Sequence, residues 1–376
     1  MKRILIDGTC IRAQKDGLSR YIINIVKCLA LYHSSEYIKY TILVLPNQLS
    51  KEEENIIGSK MSIEILNIPA IGLKRDLCFT YYLYKNRKRF DICYFPSNQY
   101  PLFYKGGIYT VHDIIYEDYP EQLGNLSFLK RLYLHLNVRW GLLFANRVIS
   151  VSNYTKEKLK KHHNLPETIT NKITTIYEGW EHLLEINPTT TSKETPFEKY
   201  FFYVGSSRGH KNLSRLIKAF SLIHEKLPKN WGLIIAGNHK NLSLEDKSII
   251  DNINNKNKCI LTTGWISDEE MTDLFKNSAC FVFPSLSEGF GIPLLEAFYY
   301  GVPILCSDNK IFPEIAKDAA IYFNPLDENH ISSTLYDFIL NEDKYRNSLI
   351  EKGKNRLLTF SWRKAAEKIA LIMNHL

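Results

Sequence analysis

Short, almost uninterrupted apolar runs alternate along this chain with longer amphipathic stretches, the pattern of a parallel α/β architecture. In the first half "RILID", "YTILVL", "ICYF", "GGIYTV" and "RVISVS" read as strands, and "KITTIYEG" closes the set. Between them "LSRYIINIVKCLALY" and the segment 125–145 read as helices. The polar stretch "LEINPTTTSKETPFEKY" has no periodicity and reads as a linker, set at residues 186–196. Beyond it the alternation restarts, with strands "YFFYVG", "WGLIIAG", "CFVFP", "VPILCS" and "AAIYFNP". The intervening helices are "KNLSRLIKAFSLIHEKL", "SDEEMTDLFKNS" and "IPLLEAFYYG". The expectation is two doubly wound, Rossmann-like α/β domains, residues 1–185 and 197–355, facing a cleft at the carboxyl ends of their strands. The tail, residues 356–376, reads as a helix that can pack back on the first domain.

Composition narrows the class. With 376 residues, 45% hydrophobic and 23% charged, the chain can bury two ordinary cores and is not a disordered sequence. No apolar run reaches the roughly 18 residues that span a bilayer, and "MKRILIDGTC" lacks the apolar core of a signal peptide. The seven cysteines stand singly, without a CxxC pair, which points to a reducing compartment and away from a zinc site. A cytoplasmic protein is expected. The net charge of +8 is concentrated in part in "KNRKRF", after the aromatic "CFTYYLY", and "SFLKRLYLHLNVRWGLLFANR" again mixes basic with large apolar side chains. Two readings stand: solvated lysines beside core-facing helices, or a basic, aromatic surface that settles on anionic lipid. No nucleic-acid module accompanies the charge.

The candidate chemistry lies in "SEGFGIPLLEAF". Gly289 and Gly291 permit a sharp turn, and Pro293 suits the first turn of a helix beginning near Ile292. Free amides and the positive dipole end of that helix make a site for a phosphate or diphosphate. Glu296, about one turn in, is placed to accept two hydrogen bonds from a vicinal diol such as a ribose. Glu288, before the turn, is placed to accept them from sugar hydroxyls. The bland alternative makes Glu296 a helix-start electrostatic cap and Glu288 a solvated loop residue; a glycosidase carboxylate pair is a third reading.

The E-x7-E arrangement in "EGFGIPLLE" resembles the donor-binding motif of retaining GT-B glycosyltransferases of the GT4 family. The likeness continues through "DGLSRYIINI", "YTVHDIIYEDYPEQ", "VSNYTKEKL", "YVGSSRGHKNLSRLIKAF", "GWISDEEMTDLF" and "FSWRKAA". It is the combination that is specific. The resemblance implies a GT-B fold and transfer of a hexose, mannose or similar, from a nucleotide-diphosphate sugar (GDP- or UDP-hexose) with retention and without a metal or other cofactor. The expected acceptor is a lipid-linked glycan of cell-surface polysaccharide or O-antigen assembly, met at the cytoplasmic face of the inner membrane. Residue by residue it implies that Lys211, opening a helix, holds the diphosphate and that Glu288, Gly289, Phe290, Gly291, Ile292 and Glu296 hold the donor, with Lys211 and Glu288 also counted beside His112 as catalytic. Relatives carry an arginine where Ser206 or His210 stands here, so Arg208 is the expected substitute. Gly264 is expected under the base, and Gly17 beside the diphosphate, although a plain turn glycine serves equally at Gly17. His112 is expected at the transferred sugar, with Asp113 on the acceptor side; a strand-end histidine satisfied by a carbonyl is the alternative. Ser152 and Thr155 read as a helix N-cap and first turn. A nucleotide-sugar 2-epimerase, a synthase acting on a small soluble acceptor and a non-catalytic nucleotide-sugar-binding subunit remain as alternative functions.

Overall fold

The computed structural model describes residues 1–119, 128–186, 195–239 and 242–376, and the chain divides into two compact units. The first comprises Met1–Gly179 with Ser361–Leu376, and the second Trp180–Phe360. Most of the linker expected at 186–196 and the start of the helix expected at 125–145 lie outside the described residues.

In the first unit β1 (Lys2–Asp7), β2 (Ile38–Val44), β3 (Ser62–Ile65), β4 (Ile92–Phe95), β5 (Ile108–Val111), β6 (Arg147–Ser150) and β7 (Ile173–Thr175) form one sheet in the order β3-β2-β1-β4-β5-β6-β7. Every pairing is parallel, in registers such as Ile4↔Tyr40 and Ile4↔Ile92. The second unit repeats the plan with β8 (Lys199–Val204), β9 (Trp231–Ala236), β10 (Ile260–Gly264), β11 (Cys280–Phe283), β12 (Ile304–Ser307) and β13 (Ile321–Phe323) in the order β10-β9-β8-β11-β12-β13. These are the two Rossmann-like parallel sheets expected from the alternation.

Central strands such as β4, β9 and β11 are buried at every residue, because helices cover both faces of a parallel sheet. The sequence reading passed over β3 and β10. Both are edge strands, and "SIEI" and "ILTTG" keep several residues partly exposed, so neither carries a continuous apolar run. The helix expected over "KNLSRLIKAFSLIHEKL" is in fact three pieces. A 3-10 turn at Gly209–Lys211 precedes the α-helix Leu213–Ser221, and a second turn covers His224–Lys226. The first break falls at Asn212, whose φ of 56° is left-handed, and the second at Leu222 and Ile223.

The first unit encloses an ionic cluster. Arg75, fully buried, pairs with Asp7 and with Asp76 at 3.1 Å and donates to Thr9 Oγ1 at 3.1 Å. Asp76 also accepts from Tyr133 (2.7 Å) and Asn137 (2.9 Å), which ties the helix Leu73–Lys85 to the helix Phe128–Phe144. The final helix, Trp362–Asn374, packs on Gly17–His33, with Trp362 edge-on to Tyr21 at 5.8 Å. Lys2 Nζ donates to the carbonyls of Met373 and Asn374 near that helix's end.

Candidate functional site

In a doubly wound sheet the loops leave in opposite directions at one pair of neighbouring strands, and a crevice opens there at their carboxyl ends. In the second unit those strands are β8 and β11. The loop after β8 carries Arg208, His210 and Lys211, and the loop after β11 carries Glu288 to Ile292. The two loops meet: Lys211 Nζ lies 2.7 Å from Glu288 Oε1, with both side chains largely shielded, and Leu286 N donates to His210 O at 2.7 Å. Lys211 belongs to the 3-10 turn rather than to the helix itself, because the left-handed Asn212 caps the α-helix one residue later. Asn212 is buried and donates to the carbonyls of Pro284 (3.1 Å) and Pro325 (2.7 Å), which sets the approach of one loop to the other.

His210 is buried, and desolvation pushes its pKa down to about 4, against the smaller opposite effect of Glu288. It is therefore neutral near pH 7 and supplies no cation. Arg208 is exposed two residues earlier, and Ser206 is half-buried.

The loop after β11 is held from beneath. Asn309 donates through Nδ2 to Ser285 O (2.8 Å) and Leu286 O (2.9 Å). Of the two loop glycines only Gly291 adopts a positive φ, 105°, as the N-cap of the helix Ile292–Tyr300, a backbone that a Cβ disfavours. Pro293 sits in the first turn as expected. Phe290 is buried edge-on against Phe360 at 5.6 Å and Ile292 is buried too, so both side chains belong to the core. Glu296 is 4% exposed, and His182 Nε2 lies 3.9 Å from its Oε1. Burial takes this carboxylate out of water, which disfavours its charged form unless it is hydrogen-bonded or paired. Gly264 ends β10 with φ 71°, its carbonyl accepting from Gly237 N at 2.7 Å, and nothing stands within 4 Å of where its Cβ would be.

The remaining candidates lie in the first unit. His112 follows β5 and is largely buried; its Nε2 is 3.0 Å from Pro96 O and its Nδ1 3.6 Å from Glu178 Oε1. A carbonyl only accepts, so the Nε2 proton points at Pro96. Tyr21 meets the ring edge-on at 4.5 Å. Asp113, half-buried, accepts through its carbonyl from Asn98 Nδ2 at 3.0 Å. Gly17 is the first residue of a helix whose N-cap is Asp16, and a Cβ there would meet nothing within 4 Å. The helix thus starts before Arg20 and Tyr21, and Tyr21 is fully buried. Ser152 caps the helix Asn153–His162, accepting from Thr155 N at 3.0 Å, and Thr155 Oγ1 donates to His112 O at 3.3 Å.

Sequence reasoning missed Asn98, Glu178, His182 and Asn309. Each supports a candidate side chain or its loop from a distant part of the chain, and no local spacing announces such a contact.

Residues 189–356 match the family described as glycosyl transferases group 1. The chain is 25% identical over 359 residues to the O-antigen chain mannosyltransferase B of Escherichia coli, covering 92% of each chain. It is 28% identical over 226 residues to the O-antigen chain mannosyltransferase RfbU of Salmonella typhimurium, covering 60% of this chain and 59% of that one. Among solved structures, sucrose-phosphate synthase from Thermosynechococcus elongatus superposes with a TM-score of 0.72 at 16% identity, over 100% of this chain and 99% of that one. WaaG, a glycosyltransferase involved in lipopolysaccharide biosynthesis, gives 0.71 at 16% identity over 99% of both. At such identities the likeness is one of fold.

Proposed function

Because the chain carries a glycosyl transferases group 1 domain, we propose that it is a retaining glycosyltransferase of the GT4 kind. It moves a hexose, mannose or similar, from a GDP- or UDP-sugar to a hydroxyl of a lipid-linked glycan in cell-surface polysaccharide or O-antigen assembly. The mannosyltransferase relatives support the sugar and the setting. The observation that carries the reading is the Lys211–Glu288 pair at the β8/β11 switch point, beside the start of the helix that buries Glu296.

In this reading the donor diphosphate lies at the helix start beside Lys211, with Arg208 as a second cation. Glu296 accepts from the ribose diol and Glu288 from the hexose hydroxyls. The bond between the anomeric carbon and the β-phosphate oxygen breaks, and the nucleoside diphosphate departs with the electron pair. Lys211 and the helix dipole stabilise the charge that develops on it, so the chain's own residues answer the leaving group without a bound metal. The acceptor oxygen bonds to the anomeric carbon on the same face, and its proton passes to the departing phosphate. His112 contacts the transferred sugar, and Asp113 serves the acceptor side.

The lipid-surface reading draws on the first unit. Leu73, Leu77, Tyr81 and Tyr84 follow helical spacing and are 47–69% exposed, and Phe128, Leu129, Leu132 and Leu136 are exposed on the neighbouring helix. Lys85, Arg87, Lys88, Lys130 and Arg131 are exposed beside them. An apolar, aromatic face rimmed by cations suits anionic headgroups. No described helix is long and apolar enough to cross a membrane.

A thermal-shift panel of GDP- and UDP-hexoses, followed by transfer to a lipid-linked acceptor, tests the proposal, since a ligand of the native state raises Tm by mass action. One nucleotide series should raise Tm and be consumed only when acceptor is present. Donor isomerised without acceptor would indicate the epimerase reading, and the absence of any shift would overturn the donor site.

A further inference from the structure

Among the described residues one group of side chains is spaced to hold a metal ion, and it lies apart from the donor site, in the first unit. Glu117 stands in the short helix Ile115–Asp118 that follows His112 and Asp113. His135 comes from the helix Phe128–Phe144, and His163 caps the end of Asn153–His162. Glu117 Oε1 is 3.0 Å from His135 Nδ1 and 3.3 Å from His163 Nε2, and the three atoms lie within 4.8 Å of one another. Ligand bonds of about 2.0–2.1 Å at tetrahedral angles put neighbouring ligand atoms roughly 3.3 Å apart.

A second observation points the same way. His163 is 1% exposed, and neither ring nitrogen makes a hydrogen bond of acceptable geometry despite the nearness of Glu117. A plain hydrogen-bonded cluster leaves such nitrogens unsatisfied at a cost, whereas a metal ion uses the Nε2 lone pair directly. The two imidazoles stack with centroids 4.7 Å apart at 24°, presenting their nitrogens to the same carboxylate oxygen. At the rim, His162 Nδ1 is 3.6 Å from Glu117 Oε2 while Asp118 Oδ1 holds its other nitrogen at 3.0 Å.

We propose that Glu117, His135 and His163 bind a divalent transition-metal ion of the zinc class, with water completing the coordination. The ion pins the turn after His112 and Asp113 to two neighbouring helices. Its role is structural, and it is independent of the donor chemistry proposed above.

The full-length chain, stripped with chelator and desalted, is titrated with Zn²⁺ and separately with Co²⁺. The wild type should retain one ion per chain, gain Tm with Zn²⁺, and show with Co²⁺ the visible bands of four-coordinate nitrogen and oxygen ligation. Glu117→Gln and His135→Gln should each lose at least tenfold in affinity, whereas His33→Gln, outside the cluster, should match the wild type. His135 is 38% exposed at its side chain, so its variant tests binding even if Glu117→Gln folds poorly. Wild-type uptake no better than that of the two variants would overturn the proposal, as would cobalt spectra dominated by thiolate charge transfer, which would assign the ion to a cysteine.

Discussion

Lys211 Nζ and Glu288 Oε1 stand 2.7 Å apart although 77 residues separate them in sequence. The pair joins the two loops that flank the switch point of the second sheet. It fixes the direction of the Lys211 side chain, and in the proposed reading a diphosphate entering there would share or displace the carboxylate.

Lys211→Ala should therefore lower turnover by roughly 10²–10³-fold, the range for removing one stabiliser of developing charge. Glu288→Gln should cost less, and the double variant should fall short of the product of the two, because the groups act on one another. A steady-state double-mutant cycle measures the coupling. Strictly multiplicative losses would mean that the pair does not act as a unit.

Glu296→Ala should weaken donor binding by about 1–3 kcal/mol, the cost of losing hydrogen bonds to a buried charged acceptor. Calorimetric titration with the nucleotide sugar, and with the nucleoside diphosphate alone, reads this loss. If Glu296 holds the ribose, both ligands should weaken alike.

His210 carries a stability signature in acid. Burial lowers its folded pKa to about 4, below the ordinary 6.5 of the unfolded chain, so between these values the unfolded state binds more protons. The stability it contributes is complete above pH 6.5 and is lost as pH falls toward 4. Melting curves across that window should show a shallower decline for His210→Gln than for the wild type.

Arg75→Met should destabilise the first unit by about 3–5 kcal/mol, because it leaves Asp7 and Asp76 buried without their cation. Burial already pushes Asp76 above the usual carboxylate range against the opposing pull of Arg75, so the lost cation should raise it further. Urea unfolding followed by fluorescence and by far-UV circular dichroism checks the size of the effect.

Neutralising Lys85, Arg87, Lys88 and Arg89 together should weaken sedimentation with anionic vesicles by about 1 kcal/mol per charge at low salt, and less as salt rises. Arg89 pairs with Glu64, so its own share should be the smallest. Unchanged vesicle binding would remove the lipid surface from the proposal.

Much of the scaffold was legible in one dimension. Buried parallel strands need apolar residues on both faces, so "YFFYVG" and "CFVFP" declare themselves. Capping likewise reads locally: Ser152 before Asn153–His162 and Pro293 in the first turn of Ile292–Tyr300 are short-range geometry. The edge strands β3 and β10 escaped because water on one side relaxes the apolar requirement. The single helix expected after β8 failed at Asn212, where two carbonyls from elsewhere in the fold reward a left-handed residue.

The sequence by itself determined the two alternating sheets, the glycine turn at Gly291 and the residue types carried by the loops after β8 and β11, because periodicity, capping and backbone freedom act over a few neighbouring residues. Tertiary structure alone decided that Lys211 meets Glu288, that His210 is a neutral buried ring, that Glu178 faces His112, and that Glu117 gathers two histidines. Such pairings depend on which loops the strand order brings to the same edge of a sheet and on how much water burial removes, and neither is written in local spacing.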